Sequence, residues 1–175
     1  IIFREPGGTN LSEKIRQMLL DKKNLELGKI AESLLFASAR AQLVNEKILP
    51  EINSGKFVIC DRFIDSTIAY QGYGRGLSIL NLEQINEIAT DGLIPNITFI
   101  LDIHPKTAKL RMKNVDSDRM ELLGEDVFDK IRKGYIEIHN KNPNRCIKID
   151  AENSINTIFT IIRNEINKKF KEVEL

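Results

Sequence analysis

Short apolar runs alternate with longer periodic segments along this chain. Ile1–Phe3, Phe57–Cys60, Ile97–Ile103 and Cys146–Ile149 are compact, rich in β-branched residues and bounded by polar turns, the form of buried strands. Between them the spacing lengthens to that of helices. Ile30, Leu34, Ala37, Ala41, Val44 and Ile48 fall by fours and threes and predict one core-facing stripe, which Pro50 ends. Asn81–Asp91 predicts a shorter helix with Leu82, Ile85, Ile88 and Ala89 inward, stopped by Gly92. Pro105 suits the first turn of another. Val127, Phe128, Ile131, Tyr135 and Ile138 stripe a further helix, and Ile155, Ile158, Phe159, Ile162 and Ile166 the last, capped by Asn153 or Ser154. Unbroken apolar strands alternating with helices predict an α/β fold, a parallel sheet covered on both faces.

Composition narrows this picture only a little. At 175 residues the chain is long enough for one domain with a core, and neither repeats nor a linker divide it. Its net charge of +1 gives no sign of a nucleic-acid-binding surface, while leaving room for a local basic pocket. No apolar run has the length of a membrane span and no signal peptide opens the chain, so a cytoplasmic protein is expected. Cys60 and Cys146 lie in apolar runs and are expected as reduced core thiols. His104 and His139 have no metal-ligating neighbours at useful spacing.

Chemistry concentrates where the strands end, the place where ligands bind in open α/β sheets. Asp61 and Arg62 follow the run Phe57–Cys60: an acid able to hold Mg²⁺ directly or through water, and a guanidinium able to grip phosphate with two parallel bonds. Alone, such a pair serves equally well as a cap or a surface ion pair. The next residues change the balance. Ser66, Thr67, Tyr70 and Gln71 recur at helical spacing and can face one cavity, and Gly72, Gly74 and Gly76 allow tight turns around Arg75. Arg4, Glu5, Pro6, Gly7 and Gly8 repeat the layout at another strand end, although a Pro-Gly turn with a solvated ion pair is common in itself. Phe36 and Arg40, four apart, offer an aromatic face beside a guanidinium; a boundary Phe with a snorkelling Arg has the same spacing. Val115–Gly124 is a polar stretch between helices. With Arg111, Lys113, Arg119, Asp118 and Glu121 it forms a candidate mobile lid or a solvated charge run.

"REPGGT", "FASAR", "CDRFIDSTIAYQGYGRG" and "DRME" together resemble, in order and spacing, the bacterial thymidylate kinases, over essentially the whole chain. The resemblance implies a three-layer α/β/α parallel sheet of the P-loop nucleotide kinase type. It implies γ-phosphoryl transfer from ATP to dTMP with Mg²⁺, and a homodimer. By resemblance, Arg62 contacts the monophosphate and the transferred group, and Asp61 organises Mg²⁺ and its waters. Phe36 stacks on thymine and Arg40 bonds its carbonyl edge. Thr67 and Gln71 contact the base, Tyr70 packs against the sugar side and disfavours a ribose, and Ser66 counts with them among the substrate-binding residues. Arg4, Glu5 and Arg16 line the monophosphate and sugar. Asp118 and Glu121 belong to the lid, with Arg119 as its catalytic arginine. The family's "GxxxxGK[ST]" phosphate loop does not occur in these residues. The expectation is a single kinase domain over 1–175 whose first strand, phosphate loop and first helix lie outside it, with a lid at 115–124. A non-catalytic nucleotide-binding or scaffold protein, which the missing loop would suit, and a deoxynucleoside kinase are the alternatives.

Overall fold

The computed structural model describes residues 1–111 and 118–170. Four short strands, β1 (Ile2–Arg4), β2 (Ile59–Asp61), β3 (Thr98–Asp102) and β4 (Cys146–Asp150), occur where the apolar runs predict them. All pairings are parallel: β1 with β2, and β3 with β4. Among the described residues no ladder joins β2 to β3, so the strands form two pairs. Ile59 and Leu101 are each more than half exposed, unlike the doubly covered strands expected.

The helices are α1 (Asn10–Leu20), α2 (Lys29–Leu43), α3 (Leu49–Asn53), α4 (Ile64–Thr67), α5 (Ile79–Thr90), α6 (Pro105–Arg111), α7 (Glu125–Lys141) and α8 (Ile155–Lys169). α1 is additional to the predicted set. Thr9 caps it by accepting from the Ser12 N–H (3.0 Å), and Ile15 and Leu19 supply its buried face. Pro50 does not end the long helix. Val44–Ile48 widens into π-helical turns and the chain stays helical to Asn53. A proline ring conflicts with the carbonyl four residues back, and lengthening the bonding step relieves that conflict. A second π-helical stretch, Ile68–Gly74, continues α4.

The expected stripe on α2 is rotated in the structure. Ile30 and Leu34 face out, whereas Glu32, Ser33, Ala37, Ala39, Arg40 and Leu43 are buried. A face that buries an acid and an arginine cannot be found by following apolar residues alone. On α5, Leu82 and Ala89 are buried as expected, but Ile88 is 82% exposed and its place inward is taken by Asn86. Ile155 and Phe159 of α8 are likewise exposed. Cys60 and Cys146 are free thiols, and burial pushes them up to about 12 and about 11. No described helix is long and apolar enough to cross a membrane.

The largest apolar cluster joins the Ile68–Gly74 segment, α5, β3, α7 and β4 through Ile68, Ala69, Leu82, Ile100, Ile131, Ile138 and Cys146. One close contact in it lies between α7 and the π-helical segment: a Cβ on Gly134 would stand 2.8 Å from the Tyr73 ring. Gly134→Ala should therefore destabilise the fold by about 1–3 kcal/mol, the usual cost of overpacking. Urea unfolding measures it, and an unchanged midpoint would show that the ring moves aside freely.

Candidate functional site

The register of β1 and β2 sets Arg4 opposite Asp61, and the Glu5 N–H donates to the Asp61 carbonyl (2.9 Å). Two segments of the chain thus turn away side by side from the ends of the paired strands. Arg62 follows in the left-handed region at φ +69°, a conformation that costs a side chain about 1–2 kcal/mol. After β1 the Glu5–Pro6 peptide is cis and Gly7 and Gly8 have positive φ. Glu13 of α1 pins this loop, accepting from the Gly8 N–H (2.9 Å) and from Arg4 Nη2 (3.0 Å). A Cβ on Gly7 would collide with that carboxylate. The gap at Gly7 is filled by an acid that orients Arg4, and the gap at Gly8 by Leu43.

Arg16 Nη1 donates to the Pro6 carbonyl (3.0 Å). Its guanidinium is held below the usual arginine range by burial, then by the charge of Arg4, with Arg62 adding to them and Glu13 and Asp118 opposing. Arg4, Arg16 and Arg62 therefore share one corner at the strand ends, with Arg4 and Arg62 exposed to incoming ligand. Arg4 and Arg62 are near enough to perturb Arg16, and the forked donors of the three match phosphate.

Beside this corner lies a polar wall. Arg40 is 3% exposed, and its guanidinium is enclosed by protein. Nε donates to Glu5 Oε2 (2.9 Å), Nη1 to Thr67 Oγ1 (2.9 Å) and Asn86 Oδ1 (2.6 Å), and Nη2 to the Phe63 carbonyl (3.3 Å). Nη2 also lies 2.8 Å from Glu5 Oε2. The other oxygen of Glu5, Oε1, is buried without a hydrogen-bond partner, and burial raises the carboxyl's pKa while Arg40 opposes the rise. Phe36 is half-buried against Ile15, Leu19 and Ala39. Tyr70 lies under the Arg62 guanidinium (5.0 Å to the ring centre) and edge-on to Tyr135 (6.4 Å). Ser66 Oγ and the Tyr135 hydroxyl are 2.8 Å apart, and burial pushes that phenol up to about 12, so it is neutral at physiological pH. Gln71, 2% exposed, donates from Nε2 to Glu32 Oε1 (3.0 Å).

The expected lid divides. Its stretch 115–117 lies outside the described residues. Asp118 Oδ1 accepts from the N–H groups of Met120 and Glu121 (2.8 and 3.0 Å), closing a turn. Arg119 is 4% exposed: Nε donates to the Leu19 carbonyl (2.6 Å) and Nη1 meets Glu32 Oε2 (2.8 Å). Those bonds fasten Arg119 to α1 and α2, away from solvent.

The structure thus gathers Arg4, Glu5, Arg16, Asp61 and Arg62 at the strand ends and Arg40, Ser66, Thr67, Tyr70 and Gln71 along the wall. It adds Glu13, Glu32, Asn86 and Tyr135, which the sequence reading missed. Asn86 had a visible signal, a polar residue four after Leu82 on the inward face of α5. Tyr135 was hidden in a stripe that reads equally well as plain core. For Mg²⁺, no group of three His, Cys, Asp or Glu side chains converges among the described residues. Magnesium is usually held by one or two carboxylates plus substrate phosphates, and an exposed Asp61 beside three phosphate-matching arginines fits that pattern.

Comparison with known proteins agrees. The family model described as Thymidylate kinase matches residues 1–162. The thymidylate kinase of Thermoanaerobacter sp. (strain X514) is 48% identical over 151 residues, 86% of this chain and 74% of the relative. That of Caldanaerobacter subterraneus subsp. tengcongensis is 43% identical over 171 residues, 98% of this chain and 82% of the relative. The crystal structure of thymidylate kinase from Ehrlichia chaffeensis superposes with a TM-score of 0.78 at 32% identity, covering 95% of this chain and 80% of that one. With the family model matching residues 1–162 and relatives at 43–48% identity over most of the chain, the chain belongs to the thymidylate kinase family.

Proposed function

We propose that this member of the thymidylate kinase family transfers the γ-phosphoryl group of ATP to dTMP in the cytoplasm, giving dTDP and ADP. The observation that carries the residue assignment is the convergence of Arg4, Arg16 and Arg62 at the ends of two adjacent parallel strands. Phosphoryl transfer asks the protein for positioning and charge neutralisation rather than covalent chemistry. Arg4 and Arg16 hold the monophosphate of dTMP, and Arg62 spans that phosphate and the group in flight. Phe36 stacks on thymine, Thr67 and Gln71 contact its edge, and Tyr70, steadied by Tyr135, packs against the sugar. Ser66 holds Tyr135 in turn. Arg40 has every nitrogen engaged, so it meets the base only by exchanging a present partner; otherwise it acts by holding Glu5 and Thr67 in place. Asp61 would hold Mg²⁺, which would supply neutralising charge to the phosphates. Asp118, Arg119 and Glu121 form the fastened foot of a lid.

ADP formation, followed with ATP and a panel of acceptors in the full-length enzyme, tests the assignment. Turnover should require dTMP and fall to background when EDTA removes divalent cations, returning with Mg²⁺. Thymidine as the better acceptor would make it a deoxynucleoside kinase, and binding without turnover would make it a non-catalytic relative.

The chain should also form a homodimer. Ile30 and Leu34, one turn apart on α2 and 64% and 48% exposed, offer the contact face in place of Leu35 and Leu43, which pack inward. Sedimentation at micromolar concentration should give twice the chain mass, and Leu34→Glu should give a monomer. A parent enzyme that sediments as a monomer removes the dimer.

A further inference from the structure

Glu32 is the most completely enclosed acid in the described structure, with no solvent exposure. It sits in the first turn of α2, where the helix dipole favours negative charge. Its carboxylate gathers three donor side chains from two distant parts of the chain: Gln71 Nε2 on Oε1 (3.0 Å) and Arg75 on both oxygens (3.3 and 2.8 Å) from the π-helical segment and its end, and Arg119 Nη1 on Oε2 (2.8 Å). Burial alone would raise its pKa, but the bonds from Arg75, Gln71 and Arg119 outweigh burial and keep it low. It is therefore a carboxylate at neutral pH, which accepts and cannot donate.

That one-sidedness acts on Gln71. A glutamine amide can turn either end toward a neutral neighbour, because its oxygen and nitrogen are nearly the same size. Against a carboxylate only one orientation bonds: NH₂ toward Glu32, carbonyl oxygen away from it. A thymine edge offers an N3–H donor between two carbonyls, whereas cytosine offers a bare N3 acceptor beside an amino group. A fixed carbonyl accepts from the first and repels the second.

We propose that Glu32 is a positioning residue that locks the Gln71 amide with its carbonyl oxygen toward the base, so that the site selects a pyrimidine with a protonated N3; this rests on the reading above that Gln71 touches the base. The same carboxylate holds Arg75 at the end of the π-helical segment and Arg119 at the foot of the lid. The base-selecting side chain and the lid's anchor thus share one post.

The test compares kcat/KM for dTMP and dCMP in four forms of the full-length enzyme: parent, Glu32→Gln, Gln71→Ala and the double variant. Glu32→Gln lets the Gln71 amide turn over and should lower the dTMP/dCMP ratio about tenfold, mainly through the KM for dTMP. In the Gln71→Ala background the same change should leave the ratio where it is. A ratio lowered equally in both backgrounds, or lowered by Gln71→Ala and not by Glu32→Gln, overturns the positioning role while leaving Gln71 as a base contact. A ratio untouched by Gln71→Ala removes the base contact and the proposal together. A second measurement needs no change at Glu32. In the parent enzyme one proton of the Gln71 side-chain amide, identified by its loss in Gln71→Ala, should resist hydrogen exchange both without and with dTMP. Protection that appears only with dTMP would place the NH₂ group on the base and overturn the proposal.

Discussion

Replacing Arg62 by alanine should lower kcat about a thousandfold, within the range that a phosphate-clamping arginine contributes to phosphoryl transfer. The side chain stands at the end of β2, over the Tyr70 ring and close enough to Arg16 to perturb it. In the proposed assignment it meets the acceptor phosphate and the moving group together, whereas its described neighbours Arg4 and Arg16 are drawn to Glu13 and the Pro6 carbonyl. Charge alone should not suffice. Arg62→Lys keeps the cation but loses the planar fork and most of the stacking, so it should recover only a small part of the loss. The fold should be untouched, since the residue is exposed, and circular dichroism with a melting curve checks this. A kcat within tenfold of the parent in the alanine variant would mean that the transferred group is stabilised elsewhere.

Arg40→Leu should be costly in a different way. It leaves the Glu5 carboxylate buried without its cation and strips partners from Thr67 and Asn86. Breaking a buried pair by removing one member costs about 3–5 kcal/mol. For a chain of this size that lowers Tm by roughly 6–20 °C. Affinity for dTMP should fall as well, because the wall that carries Thr67 loses its frame. The diagnostic is a double variant. Glu5→Gln in the Arg40→Leu background removes the stranded charge and should return part of the lost stability, whereas Glu5→Gln alone should destabilise. Strictly additive losses would show that the two side chains, 2.8 Å apart, are not coupled.

How much of this was visible in the sequence depends on which force placed each residue. The strand ends were legible because an abrupt change from apolar run to Asp61-Arg62, or from Phe3 to Arg4-Glu5, is a one-dimensional signal. The wall after Asp61 was legible because Ser66, Thr67, Tyr70 and Gln71 keep helical spacing through both α4 and the π-helical turns. The rotation of α2 was not. Its buried face is chosen by Glu32 and Arg40, whose partners come from 39 and 35 residues away, and no local pattern carries that information. Helix α1 carries local signals of its own, the Thr9 cap and the pair Ile15 and Leu19. At Arg119 local pattern and burial diverge: a basic residue in a polar stretch suggests solvent, and the structure pairs it with an acid from α2.

The backbone of Arg62 has a consequence for how this chain would change under selection. Its φ of +69° suits glycine or asparagine better than arginine. A library at position 62 screened only for heat resistance should therefore enrich Gly and Asn, because each relieves the twist and the fold does not need the arginine. The same library grown where survival depends on the kinase should return Arg alone. One codon would then be pulled in opposite directions by durability and by work, and a laboratory lineage kept warm but idle should lose the arginine first.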